Sequence, residues 1–268
     1  MRAYGALFRI RFVNSLQYRV AAFAAIFTNF AWGFMYLLAF SAFYAENPAA
    51  FPMTWEQTVA YVWLQQSFLM LFYVWFWEQS IVETLEKGDI AYELVRPMNL
   101  YSRWVCIIMA SRLSRCLLRA VPVLVVAFFL PLRFRLVFVA DFWVLALFII
   151  SLALSLGVMA VFSMIVYISA FYTINGNGIR IIVAVASDFF SGGLVPVPFF
   201  PDALRTAIEF SPFGSMQNTP LLIFGGYFSS GAEIAQALGL QVFWLVALYA
   251  VGRAFMARSL RRVVVQGG

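Results

Sequence analysis

Histidine is missing from all 268 residues, lysine occurs once and cysteine twice. Without imidazole there is no ordinary proton shuttle near neutral pH, no histidine-built metal centre and no Ser–His nucleophile. Charge is scarce too: 11% of residues are Asp, Glu, Lys or Arg, against roughly a quarter in soluble domains. The one lysine, Lys87, follows no glycine-rich turn, so a G-x-x-x-x-G-K-[ST] phosphate loop is excluded. No dinucleotide-binding glycine pattern and no internal repeat occurs, which gives an inverted-repeat transporter little support. Cys106 and Cys116 fall in one helical region, about 15 Å apart at 1.5 Å per residue, too far for a disulfide. No catalytic residue, metal or resident cofactor is expected.

What fills the chain instead is hydrocarbon. Hydrophobic residues make up 64% of it, in recurring runs long enough to cross about 30 Å of bilayer. The expectation is an all-α integral membrane protein, one domain over 1–268, with six transmembrane helices near 20–44, 58–77, 104–130, 141–172, 179–195 and 233–255. Residues 1–19 carry Arg2, Arg9, Arg11 and Arg19 among Leu7, Phe8, Phe12 and Leu16, with no signal-peptide cleavage pattern. They read as an interfacial amphipathic helix on an anionic leaflet or as a plain basic flank of the first span. The aromatics of the second span read as an interfacial belt or, more sharply, as a ligand box. Gly33, Gly157, Ser151, Ala153 and Ser155 are small enough to let helices approach closely.

One stretch departs from this pattern. Residues 78–103 hold the sole lysine and the densest charge: Glu78, Glu83, Glu86, Lys87, Asp89, Glu93, Arg96 and Arg103. A segment this polar between two apolar runs meets water or a soluble partner. Ile81, Leu85, Ile90 and Leu94 provide apolar positions on two short helices. Gly88 suits the end of the first and Asp89 the cap of the second. Arg96 before Pro97 is pushed out of helical geometry and stops it.

The third span is unusual. Arg112, Arg115 and Arg119 share one face at i, i+3 and i+7, and an arginine at membrane depth costs at least about 2.5 kcal/mol. They either snorkel to the interfaces or line a path for an anionic or amphipathic cargo. Asp188, in the fifth span, is either their partner or a polar group near the outer surface.

Residues 192–231 hold five of the ten prolines and two Gly-Gly pairs. Two apolar segments there, 202–210 and 214–224, are too short to span, and read as a re-entrant hairpin entering from outside or as an ordinary outer loop. With both termini and residues 78–103 in the cytoplasm, the inner side collects Arg2, Arg9, Arg11, Arg19, Lys87, Arg96, Arg103, Arg180, Arg253, Arg258, Arg261 and Arg262. The outer side keeps only Arg133, Arg135 and Arg205. That asymmetry fits the positive-inside tendency, with Arg133 and Arg135 as the awkward pair.

Six spans, the N-terminal helix, the loop reading I-V-E-T-L-E-K-G-D-I-A-Y-E-L-V-R-P-M and the hairpin G-G-L-V-P-V-P-F-F-P-D-A-L together resemble an ABC-2 type permease. The likeness is to the bacterial subgroup with a G-D-I-x-x-x-L-x-R-P loop after the second span. Here that loop is Gly88, Asp89, Ile90, Leu94, Arg96 and Pro97. The resemblance implies a multi-pass protein of the bacterial cytoplasmic membrane with both termini inside. It also implies two copies or paralogues forming the path of a multidrug-type exporter, and two ABC ATPase subunits carrying ATP and Mg. Residues 78–103 would then be the coupling helix, with Glu83, Glu86, Lys87, Gly88, Asp89, Tyr92, Glu93 and Arg96 toward the ATPase. No nucleic acid is expected. A secondary transporter or channel working alone, and a membrane-embedded enzyme, are the competing readings.

Overall fold

The computed structural model describes residues 2–17, 19–137, 141–173 and 176–261. Among these the chain is all helix, with no strand. Its helices are α1 (Arg2–Ser15), α2 (Arg19–Glu46), α3 (Trp55–Ser67), α4 (Leu69–Phe72), α5 (Gln79–Lys87), α6 (Ile90–Leu94), α7 (Leu100–Phe129), α8 (Phe142–Ser169), α9 (Asn177–Phe190), α10 (Asp202–Phe210), α11 (Thr219–Phe224) and α12 (Gly231–Leu260). Arg262, counted above on the inner side, lies outside the described residues.

Local chemistry explains where the long helices begin. Thr54 and Gln57 form a reciprocal capping box on α3. The side chains of Asn99, Asp141 and Ser230 accept backbone N–H groups at the starts of α7, α8 and α12. Among the described residues, three helices are long and apolar enough to cross a membrane: Phe23–Glu46, Phe142–Tyr172 and Gly231–Leu260. At 30 residues α7 matches them in length, while its arginines lower its apolarity. The two cysteines, both on α7, are free.

The remaining two expected spans are not single long helices. The run 58–77 breaks at Phe68 and again after Phe72, giving α3, the one-turn α4 and an irregular strip 73–78. The fifth is the 14-residue α9, about 21 Å long. The hairpin segments expected at 202–210 and 214–224 fall on α10 and on a single π-turn, Gly214–Asn218, that runs straight into α11.

The basic N-terminal segment is a helix that lies along α7. Ser114 Oγ donates to Phe12 O at 2.8 Å, and Cys106 Sγ approaches Tyr4 O at 3.5 Å. The two contacts are eight residues apart on each helix, so α1 and α7 run side by side in the same direction. Small residues bring the other helices together. A Cβ on Gly157 would sit 2.9 Å from Leu245, and one on Gly33 2.7 Å from the Trp63 ring. These close approaches join α8 to α12 and α2 to α3. Ala153 is exposed and takes no part in such an approach.

Two buried clusters stack along the long helices. One gathers α2, α3, the end of α7, the start of α8 and α11. The other gathers the α5–α6 loop, the start of α7, and the ends of α8 and α12. At their junction the π-turn is pinned by side chains. Gln241 Nε2 donates to Ser215 O at 3.0 Å and to Ser155 Oγ at 2.9 Å, and its Oε1 accepts from Ser151 Oγ at 2.9 Å. Gln241 lies about 15 Å along α12 from its start. Backbone that leaves the α-helix at such depth persists only where protein satisfies its polar groups, and Gln241 satisfies this one.

Candidate functional site

Two features carry the chain's concentrated polar chemistry: the α5–α6 loop and the buried arginines of α7.

The loop follows its sequence pattern at Gly88, while Asp89 stands at the start of α6 without a side-chain capping hydrogen bond. Gly88 ends α5 in the left-handed conformation, φ 75°, which is open to glycine and costly for other residues. Asp89 N–H then reaches back to Thr84 O at 3.1 Å, closing the helix end. Ile90 follows, buried, at the start of α6. Ile81, Val82 and Ile90 form the underside, and each adds about 1.5–3 kcal/mol relative to exposure to water. The opposite side is open. Glu83, Glu86, Lys87, Gly88, Asp89 and Arg96 are exposed. Beside them Tyr92 is 72% and Val95 82% exposed.

Glu93 faces its own chain. It is paired with the buried Arg103, accepts from Trp104 Nε1 at 3.2 Å and meets Arg96 at 3.6 Å. It thus bolts α6 to the start of α7. Glu86 reaches Arg180 at 3.2 Å. Arg180 also bonds Asn177 and lies over the Trp77 ring, 5.9 Å from its centroid. Lys87 pairs with Glu83 one turn away at 3.4 Å. Sequence spacing could not show the Glu93 pairing, because Arg103 lies across a helix break.

Below the loop, the three arginines separate. Arg112 is 1% exposed. Its guanidinium donates to the carbonyls of Met70, Leu71, Tyr73 and Phe76, and to Ser163 Oγ on α8, at 2.9–3.3 Å. The Met70 and Leu71 carbonyls are freed where α4 stops and those of Tyr73 and Phe76 lie in the irregular strip after it, and a helix end buried without partners is costly. One planar fork with five N–H donors fits this task, and a lysine would not. Arg112 neither snorkels nor faces a groove. Arg115 stacks on Phe76, 4.0 Å from the ring centroid, and approaches Glu78 at 4.0 Å. Glu78 is buried, and its backbone N–H donates to Tyr167 Oη on α8. The strip 73–78 is therefore tied to α7 and α8 at both ends and leads directly into α5. Arg119 is partly buried, and its Nε finds no hydrogen-bond partner.

Asp188 is not brought to these arginines. No ion pair among the described residues joins it to Arg112, Arg115 or Arg119. Its carbonyl accepts from Gly193 N–H at 2.8 Å, ending α9. Next to it, Gln65 Nε2 donates to Gly193 O, and Tyr61 Oη donates to Gly192 O at 3.1 Å. Among the described residues, no group of three or more Cys, Asp or Glu side chains is placed to hold a metal ion.

A family model described as "ABC-2 family transporter protein" matches residues 30–267. The chain belongs to that family. It is accordingly the membrane permease of an ABC transporter, a multi-pass membrane protein of a kind that works with ABC ATPase subunits. No curated protein matches it.

Proposed function

We propose that the chain is one half of the translocation unit of an ATP-driven exporter. Two copies, or this chain and a paralogue, form the path, and two separate ATPase subunits bring ATP and Mg. Six spans cross the bacterial cytoplasmic membrane with both termini inside, α3–α4 and α9 with its following loop being the short ones. The α5–α6 loop is the coupling element, and Glu83, Glu86, Lys87, Asp89, Tyr92 and Arg96 form the face that an ATPase grips. Glu93 holds that face in position from behind.

The observation that carries this reading is the way the loop is mounted. Its outer face is exposed, charged and centred on Tyr92 and Val95. Its inner face is fixed to α7 by Glu93–Arg103, and Ile81, Val82 and Ile90 pack in one buried cluster with Val74 of the strip below. A loop mounted this way moves as a body. Closure of the ATPase pair on ATP displaces α5. The Arg112 and Glu78 contacts, which tie strip 73–78 to α7 and α8, then pass the displacement on. Such coupling needs contacts that differ between two states, and the strip is the element able to exchange them.

The test is charge reversal on the exposed face. E86R/D89R should abolish ATP-dependent efflux while the protein still inserts into the membrane at normal levels. Unchanged efflux removes the docking claim.

A further inference from the structure

A pocket of about 490 Å³ opens among the end of α7, the start of α8, the α3–α4 break and α11. Its walls include Phe68, Leu124, Phe128, Leu136, Phe148 and Phe224, and every residue lining it is Leu, Val or Phe. Its size is within the roughly 300–1,000 Å³ of ordinary ligand sites, yet it offers no side-chain hydrogen bond. An open pocket with such walls suits hydrocarbon rather than a polar ligand.

The adjoining loop has the opposite character. The loop after α7 carries Arg133 and Arg135, both exposed, immediately before the pocket residue Leu136. Its backbone is held at three points. Trp55 Nε1 donates to Arg133 O at 2.7 Å, Trp63 Nε1 to Phe134 O at 2.8 Å, and Leu136 N–H to Ala127 O at 3.0 Å. Arg133 packs over the Phe134 ring. The ion pairs of the described residues involve neither arginine. Two exposed cations on a held loop next to a hydrocarbon pocket complement an amphiphile with an anionic head.

We propose that this is a binding site for an anionic lipid of the outer leaflet, with one acyl chain in the pocket and the phosphate against Arg133 and Arg135. The outer placement rests on the orientation proposed above. The site also gives the two arginines a role that the positive-inside tendency does not.

The experiment uses the full-length protein in nanodiscs containing a phosphatidylglycerol or a phosphatidylcholine with a photoreactive diazirine in its acyl chain. Adducts are mapped by peptide mass spectrometry. Phosphatidylglycerol adducts are expected on peptides covering 124–129 and 145–148, and L124W, which fills the pocket, should remove them. R133Q and R135Q lie on the surface and leave the core intact. Each should cut the preference for phosphatidylglycerol over phosphatidylcholine by about fivefold. Adducts spread evenly over the lipid-facing helices, or a preference unchanged in R133Q/R135Q, overturn the proposal. A membrane-impermeant maleimide applied to R133C in intact cells separates the two claims. Labelling from outside without pocket adducts overturns the lipid site and leaves the orientation standing. Labelling only in inside-out vesicles overturns both.

Discussion

Arg112 Nη1 on α7 donates to the carbonyl oxygen of Tyr73 at 2.9 Å, across a helix break 39 residues earlier in the chain. Removing this guanidinium strands buried carbonyls and opens a void. R112A should lower stability by at least about 1–3 kcal/mol, the cost of one buried polar group left without its partner. R112K keeps the charge and loses the fork, so it should retain part of the stability. Thermal unfolding in detergent, followed by tryptophan fluorescence, measures both. Equal melting temperatures for R112A and the parent protein would show that the break does not depend on the clasp.

The same contact gives a functional expectation. If strip 73–78 relays motion from α5, then R112K should hydrolyse ATP in the assembled complex and transport less per ATP. A variant that merely folds less well would lose both in proportion. The ratio of transport to hydrolysis in proteoliposomes distinguishes the two.

Gln241 is the pin of the hairpin. Q241L has nearly the same volume but takes the acceptor from the Ser151 hydroxyl and leaves Ser155 Oγ and Ser215 O only their 3.3 Å bond to each other. The expected loss is about 1–3 kcal/mol, the usual penalty for an unsatisfied buried polar group. The hairpin peptides 202–224 should also exchange amide hydrogens faster. Unchanged exchange there would mean that the π-turn is held by packing alone.

At Gly88 the space is open, with nothing within 4 Å of an added Cβ, while φ is positive. G88A therefore costs backbone strain alone, about 1–2 kcal/mol. It should loosen the α5–α6 junction without disturbing the core. The readout is faster proteolysis in the loop with an unchanged melting temperature for the rest.

The Glu86–Arg180 pair is exposed on the Glu86 side. E86Q should change stability by about 0–1 kcal/mol, as surface pairs do. A large loss of stability would show that the pair is structural and that the E86R/D89R transport test is not clean.

Parts of this architecture were legible in the sequence, and the reasons are local. Proline and glycine punctuation marked the hairpin segments on either side of residues 211–213. Gly88, Asp89 and the Arg96–Pro97 step marked the ends of α5 and α6. The broken second span was not legible. Residues 58–77 contain neither glycine nor proline, and the break depends on Arg112 and Ser163, far along the chain. Spacing put the three arginines on one face, yet it could not say that one would seek freed carbonyls and another a phenylalanine ring. The place of α1 was hidden for the same reason. Its arginines suggest a surface, while Ser114 and Cys106 hold it along α7. Glu93 looked like one more exposed charge until Arg103 and Trp104 were brought against it.

The central claim is that the exposed face of α5–α6 lies in the cytoplasm and is covered by an ATPase subunit. The most direct measurement is labelling of Y92C with a membrane-impermeant maleimide. The expected result is labelling in inside-out vesicles and not in intact cells, with protection when the partner ATPase is co-expressed. Labelling from the cell exterior, or equal labelling with and without the ATPase, would contradict it.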